Sequence, residues 1–125
     1  MKMKARRLVT DYLQDILDNA EKARRFVQGV DYDAFCKDDQ KFYAVVRALE
    51  IIGEAARHIP RALRSKYPDV PWSKMTGMRD KVIHDYFGVD LEVLWKTVHQ
   101  DLPEMLLAVA KMLAEEQGKK ADDAG

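Results

Sequence analysis

Apolar residues recur at the 3.6-residue period of amphipathic helices through most of the chain. Val9, Tyr12, Leu13, Ile16, Leu17, Ala20, Ala23 and Val27 form one stripe, and Asp11, Gln14, Asp15, Asp18, Glu21, Lys22 and Arg25 cover the other side. This spacing predicts a helix over residues 5–28, stopped at Gly29. Asp31 is placed to cap a short turn carrying Tyr32 and Phe35. Asp38 or Asp39 caps a second long helix, to about His58, with Phe42, Val45, Val46, Leu49, Ile52, Gly53 and Ala56 on one face. A glycine inside a helix costs about 1 kcal/mol against alanine, so Gly53 predicts close approach of a neighbouring helix. Pro60 ends or restarts this helix, and a short helical piece follows over residues 61–66.

Pro68 and Pro71 mark a tight connection into a third helix over residues 72–86, with Met75, Met78, Val82 and Tyr86 on one stripe and Gly88 as its stop. Asp90 caps a fourth helix to about Gln117, with Leu91, Leu94, Trp95, Val98, Leu102, Met105, Leu106, Val109 and Leu113 inward. Pro103 lies inside that pattern and predicts a kink near residues 99–102. Residues 118–125 lack an apolar anchor and read as a disordered tail. With no sustained period-two segment and short connections, the fold class is all-α. The architecture is an antiparallel four-helix bundle with short extra helices, one domain over residues 1–117.

The length of 125 residues suits a single core. The formal net charge is zero, so the whole-molecule field points to neither nucleic acid nor an anionic membrane, and any RNA site must be a local patch. The lone Cys36 fits a reducing, cytoplasmic setting. No apolar run is long enough to span a membrane.

Residues 79–86 concentrate the chemistry: Arg79, Asp80, His84, Asp85 and Tyr86 fall within eight positions. A guanidinium binds phosphate bidentately, and an imidazole exchanges protons near neutral pH, so Arg79 with His84 points to phosphate chemistry. On a regular helix five residues turn through about 500°, which leaves Arg79 and His84 roughly 140° apart. Either the helix distorts before Gly88, or a second copy of the chain completes the site. Arg57, His58, Arg61, Arg64 and Lys66 form a basic run without an acid. It is either a solvated helix end or a phosphate-binding patch. The three histidines lack ligand-spaced partners for a metal, and Cys36, beside Asp38 and Asp39, is a poor nucleophile. Trp72 and Trp95 read as core anchors rather than base-stacking platforms.

Three stretches carry a resemblance that runs from about Val9 to Leu113: R-A-L-E-I-I-G-E-A (residues 47–55), Y-P-D-V-P-W (residues 67–72) and G-M-R-D-K-V-I-H-D-Y-F-G-V-D (residues 77–90). Together they resemble the HEPN superfamily, and within it the HepT-like toxins of MNT/HepT toxin-antitoxin systems. The resemblance implies a helical homodimer with an RNase site built from the R-x4-6-H elements of both subunits; the leading expectation is an endoribonuclease that needs no metal or cofactor, because the ribose 2′-OH of the substrate is the nucleophile. Carried over by position, the catalytic pair is Arg79 and His84. It also implies a minimal nucleotidyltransferase antitoxin that transfers AMP to the tyrosine of R-x4-H-x-Y, here Tyr86. Asp80 follows the arginine where Asn is common in the family, and its carboxylate would raise a neighbouring histidine pKa while opposing RNA phosphates. Arg57, Arg61, Arg64 and Lys66 are candidate RNA contacts. The competing expectation is a non-catalytic module that binds a nucleotide or docks the nucleotidyltransferase.

Overall fold

The computed structural model describes residues 7–84 and 88–124; the side chains of His84 and residues 120–124 lie outside that description. Helix α1 (Val9–Phe26) starts where the Asp11 carboxylate accepts from the Leu8 N–H at 2.8 Å, and ends just before Gly29, whose φ of +74° suits a residue without Cβ. Asp31 caps α2 (Tyr32–Lys37) by accepting from the Ala34 N–H, and Asp38 caps α3 (Asp39–Arg57) by accepting from the Lys41 N–H. Helix α1 lies antiparallel on α3: Tyr12 near the start of one stacks on His58 at the end of the other, with ring centroids 4.6 Å apart. Pro60 precedes the single turn of α4 (Arg61–Arg64).

Where a third helix is expected over residues 72–86, the described residues, up to His84, form two short helices and an extended pair. Helices α5 (Trp72–Thr76) and α6 (Met78–Val82) meet at Gly77, whose N–H closes α5 on the Ser73 carbonyl. Ile83 then turns extended (φ −112°, ψ 122°). Strand β1 (Ile83–His84) pairs antiparallel with β2 (Gly88–Val89), Ile83 opposite Val89 and His84 opposite Gly88. The Asp90 N–H donates to the Val82 carbonyl at 2.7 Å. That bond occupies an acceptor which a continuing helix needs for residue 86. The Tyr86 position of the expected stripe lies outside the described residues.

Asp90 caps α7 (Leu91–Lys96) through the Val93 N–H. A π-helical segment, Thr97–Asp101, follows and leads into α8 (Leu102–Ala124). Pro103 has no N–H for the His99 carbonyl, and the ladder adjusts by one residue: the Leu102 N–H donates back to Thr97. The kink expected near residues 99–102 thus takes the form of a π-bulge. Helix α8 continues to Ala124, so residues 118–124 are helical where the sequence predicts a disordered tail. Within it, Lys119 Nζ reaches Glu116 at 3.0 Å and the Tyr67 hydroxyl at 3.3 Å. Tyr67 donates to Glu116 at 2.6 Å and so ties the connection before α5 to α8. The tyrosine hydroxyl and then the Lys119 ammonium hold the Glu116 carboxyl below its ordinary pKa, and the Glu116 contact raises that of Tyr67.

Leu13, Ile16, Phe35, Leu49, Ile52, Met75, Met78, Leu94, Leu102 and Met105 are fully buried together in one core. Trp72 and Trp95 are half-buried against it. The Trp72 indole N–H donates to the carbonyls of Tyr67 and Arg64, and the Trp95 ring packs 5.1 Å from Phe35. Gly53 is where α5 comes closest to α3: a Cβ there would sit 3.1 Å from the Met75 carbonyl oxygen and 3.6 Å from that of Thr76. Backbone cannot step aside as a side-chain tip can. Gly53→Val should therefore lower the free energy of unfolding by about 1–3 kcal/mol. Gly53→Ala should cost less, because about 1 kcal/mol of helix propensity opposes the crowding. Urea unfolding of both variants measures this, and a valine variant as stable as the parent removes the close-approach argument.

Candidate active site

Arg79 projects from α6, half exposed. Its Nε lies 3.7 Å from the Glu50 carboxylate on α3, and one terminal nitrogen lies 3.7 Å from Asp80. Glu50 also lies 3.9 Å from Arg47, so one carboxylate stands between two guanidinium groups. These separations exceed hydrogen-bond length. Coulomb attraction therefore places the Arg79 head, and among the described residues no short bond occupies its N–H donors. Exposed pairs of this kind contribute about 0–1 kcal/mol each, which leaves the guanidinium able to turn toward an incoming anion.

The packing of α6 on α3 sets this position. Glu50, Gly53 and Arg57 lie at helical spacing along one face of α3. Gly53 admits the α5 backbone, Arg57 Nη2 donates to the Thr76 carbonyl at 3.0 Å, and Glu50 meets Arg79. On the opposite side of α6, Lys81 and Lys74 approach the Asp101 carboxylate of the π-segment at 3.5 and 4.0 Å. Backbone contact with α3 on one side and charge on the other hold α5 and α6 in place.

At Ile83 and His84 the backbone is extended, so the 140° separation of a continuous helix does not describe Arg79 and His84. The distortion anticipated before Gly88 is present. The His84 backbone pairs with Gly88, which takes a φ of +79°. The His84 side chain, Asp85 and Tyr86 fall outside the described residues. Asp80 sits beside Arg79 with its own side chain well exposed.

The basic run divides in two. Arg57 donates to Thr76, and Arg64 Nε donates to the Ile59 carbonyl at 3.0 Å just past the end of α3. Both close backbone acceptors and face structural tasks. Arg61 and Lys66 are exposed. His58 lies 3.3 Å from Glu54 and under the Tyr12 ring, in a cleft of about 310 Å³ that Arg7 and Arg47 also line. A larger cleft of about 740 Å³ opens between the end of α1 and the π-segment, with Arg24, Arg25 and His99 on its wall. The His99 Nδ1 lies 2.8 Å from the Trp95 carbonyl, within the displaced ladder. Sequence reasoning missed Glu50 and Arg47 as neighbours of Arg79. Local spacing gives no sign of a pairing so distant along the chain, although Glu50 lies in the R-A-L-E-I-I-G-E-A stretch. No group of three metal-ligating side chains occurs among the described residues, and none of their helices is long and apolar enough to cross a membrane.

A sequence model of the ribonuclease HepT-like family matches residues 16–112, a span that includes α3, α6 and the paired strands. The chain belongs to this family. Among curated relatives, a protein of Thermococcus cleftensis named "Probable ribonuclease HepT" is 47% identical over 95 residues, covering 76% of this chain and 86% of the relative. A "Putative RNase" of Methanocaldococcus jannaschii is 46% identical over 101 residues, 81% of this chain and 93% of its own. Another, from Caldanaerobacter subterraneus, is 42% identical over 106 residues, 85% and 95% of the two chains. No solved structure matches the sequence. The HepT-like assignment agrees with the all-α class of the fold, a helical bundle with one short strand pair, and with the HEPN resemblance carried by residues 47–55, 67–72 and 77–90.

The divided basic run gives a prediction of its own. Arg61→Glu combined with Lys66→Glu should weaken RNA binding and reduce its salt slope by up to about two units, at roughly one per lost phosphate contact. The fold should be unaffected. Arg64→Ala should instead lower thermal stability with the salt slope unchanged. Fluorescence anisotropy across a salt series checks both, and an unaltered slope in the double reversal makes Arg61 and Lys66 ordinary solvated cations.

Proposed function

We propose that this HepT-like protein is a metal-independent endoribonuclease and the toxin of a toxin-antitoxin pair, with Arg79 and His84 as its catalytic groups. The family match across the R-x4-H element carries this reading. The placement of Arg79 supports it: the guanidinium is half exposed, positioned by Glu50, and has N–H donors available to a phosphate. In this reading the ribose 2′-OH attacks the adjacent phosphorus. His84 takes the hydroxyl proton or supplies one to the departing 5′ oxygen, and Arg79 balances the negative charge that grows on the phosphoryl oxygens. The new O2′–P bond forms as the P–O5′ bond breaks, leaving a 2′,3′-cyclic phosphate and a 5′-OH. No cofactor is required because the nucleophile belongs to the substrate. The active unit is a cytoplasmic homodimer, with the two α6 regions and part of α8 at the interface and Arg79 and His84 of both copies around a shared cleft.

One observation favours the alternative, a non-catalytic docking or nucleotide-binding module. Two carboxylates, Glu50 and Asp80, stand 3.7 Å from Arg79 and compete with an RNA phosphate for its charge. Substitution separates the two readings. Arg79→Ala and His84→Ala should each slow RNA cleavage by about a hundredfold or more, the usual loss for one transition-state contact. The helical circular dichroism should stay at the parent level. A parent protein that cleaves no RNA, or variants that cleave as fast as the parent, sink the catalytic pair.

Control of the toxin falls to Tyr86. A phenol with a pKa near 10 is a weak nucleophile at neutral pH, so its modification needs an enzyme, here an MNT-type nucleotidyltransferase antitoxin that transfers AMP from ATP. The tyrosine oxygen bonds to the α-phosphorus as pyrophosphate leaves. The attached phosphate then pairs with Arg79 and fills the place of the RNA backbone. Tyr86→Phe should stay toxic, escape neutralisation and gain no adenylyl mass when incubated with the antitoxin and ATP. Mass spectrometry and growth assays read the outcome, and a phenylalanine variant modified like the parent moves the switch to another residue.

A further inference from the structure

The arginines around α3 fall into two kinds. Arg57 and Arg64 donate to backbone carbonyls, and Asp15 holds Arg7 at 2.9 Å. Arg47 and Arg79 form no hydrogen bond among the described residues. Both lean on the same carboxylate oxygen of Glu50, at 3.9 and 3.7 Å, so Arg47 Nη1 and Arg79 Nε lie no more than 7.6 Å apart. Exposed ion pairs of that length are weak, and an incoming phosphate can displace Glu50 from either arginine.

Arg47 also stands at a cleft. Arg47, Ile51, Ala55 and His58 follow one face of α3 in steps of four, four and three, and with Tyr12 on α1 they line the space of about 310 Å³. The lining is apolar where Ile51 is half-buried and Ala55 is buried. The His58 ring stacks on Tyr12 at 4.6 Å with the planes 6° apart, and its side chain stays half exposed. An apolar wall beside a ring already held in a stack suits a nucleobase. Small-molecule clefts run from about 300 to 1,000 Å³, and this one, at the low end, admits a single base with its sugar.

We propose that Arg47 and this cleft hold the stretch of RNA next to the scissile bond: Arg47 takes the adjacent phosphate, and a base beyond it lies in the cleft against Ile51 and His58. The separation of the two arginines selects a strand over a free nucleotide, because two guanidinium groups this close, both with open donors, serve successive phosphates of one chain. Glu50 keeps the pair in place before RNA arrives. With the strand held at Arg47, the phosphate at Arg79 is fixed in register, which aligns its ribose 2′-OH for attack. The subsite rests on the reading of this protein as an RNA-cutting enzyme.

Binding of a short, labelled 2′-O-methyl RNA of mixed sequence, followed by anisotropy across a salt series, tests the subsite. That strand has no free 2′-OH and cannot be cut by the proposed route, so the result stands apart from the catalytic reading. Arg47→Ala should weaken binding about tenfold and reduce the salt slope by about 0.7, the value for one phosphate contact on a single strand. Arg47→Lys should restore the slope. The loss at Arg47 should persist in a Glu50→Gln background, which removes the carboxylate linking it to Arg79. His58→Ala, at about pH 8, where imidazole carries little charge, should weaken binding about fivefold or more by loss of stacking, with the slope unchanged. Circular dichroism of every variant should match the parent. A parent that does not bind the strand overturns the proposal. So does an Arg47→Ala variant with unchanged affinity and slope, which makes Arg47 an ordinary solvated cation, or an effect that vanishes with Glu50→Gln, which makes it act through Arg79. A folded His58→Ala variant that binds as tightly as the parent removes the base from the cleft.

Discussion

The close contact of two backbones at Gly53 sets most of what surrounds Arg79. With no side chain at that position, the carbonyls of Met75 and Thr76 come down onto α3. Arg57, one turn further on, donates to Thr76, and Glu50, one turn back, meets Arg79. Three consecutive turns of one helix face therefore dock the α5–α6 pair by backbone fit, a hydrogen bond and an ion pair. Of these, the backbone fit is the one no rotamer change can replace. The contacts of Arg57 and Glu50 are individually weak, and they orient what the packing has already placed.

A second constraint acts from the opposite side. Pro103 cannot donate to the His99 carbonyl, and the helix answers with a π-segment that changes the facing of Thr97–Asp101. Asp101 in that segment meets Lys74 and Lys81, on α5 and α6. The two missing groups, a Cβ at residue 53 and an N–H at residue 103, lie far apart in sequence and act on the same short pair of helices. Downstream, the bond from the Asp90 N–H to the Val82 carbonyl closes the end of α6 and puts the His84 backbone on an extended strand.

Much of this was legible in the chain. The caps at Asp31, Asp38 and Asp90 behave as their side-chain chemistry requires, because capping is local. The core stripes follow period, and Gly53 and Pro103 carried their consequences in residue type alone. The end of the third helix was not legible. Met78, Val82 and Tyr86 fit a helical stripe, and the bond that stops the helix comes from beyond the segment. Glu50 with Arg79, and Arg64 with the Ile59 carbonyl, are tertiary or chain-reversing contacts that spacing does not announce. The same holds for Leu107: periodicity assigned its neighbour Leu106 inward, but only the packed bundle shows which apolar residues of α8 are left outside.

The central claim is that two side chains of this protein cut RNA by using the substrate's own hydroxyl. The most direct measurement is the chemistry of the ends left on RNA incubated with the purified chain in excess EDTA. The account predicts fragments ending in a 2′,3′-cyclic phosphate and beginning with a 5′-OH. RNA that stays intact, cleavage that requires a divalent ion, or fragments carrying 5′-phosphates would contradict it.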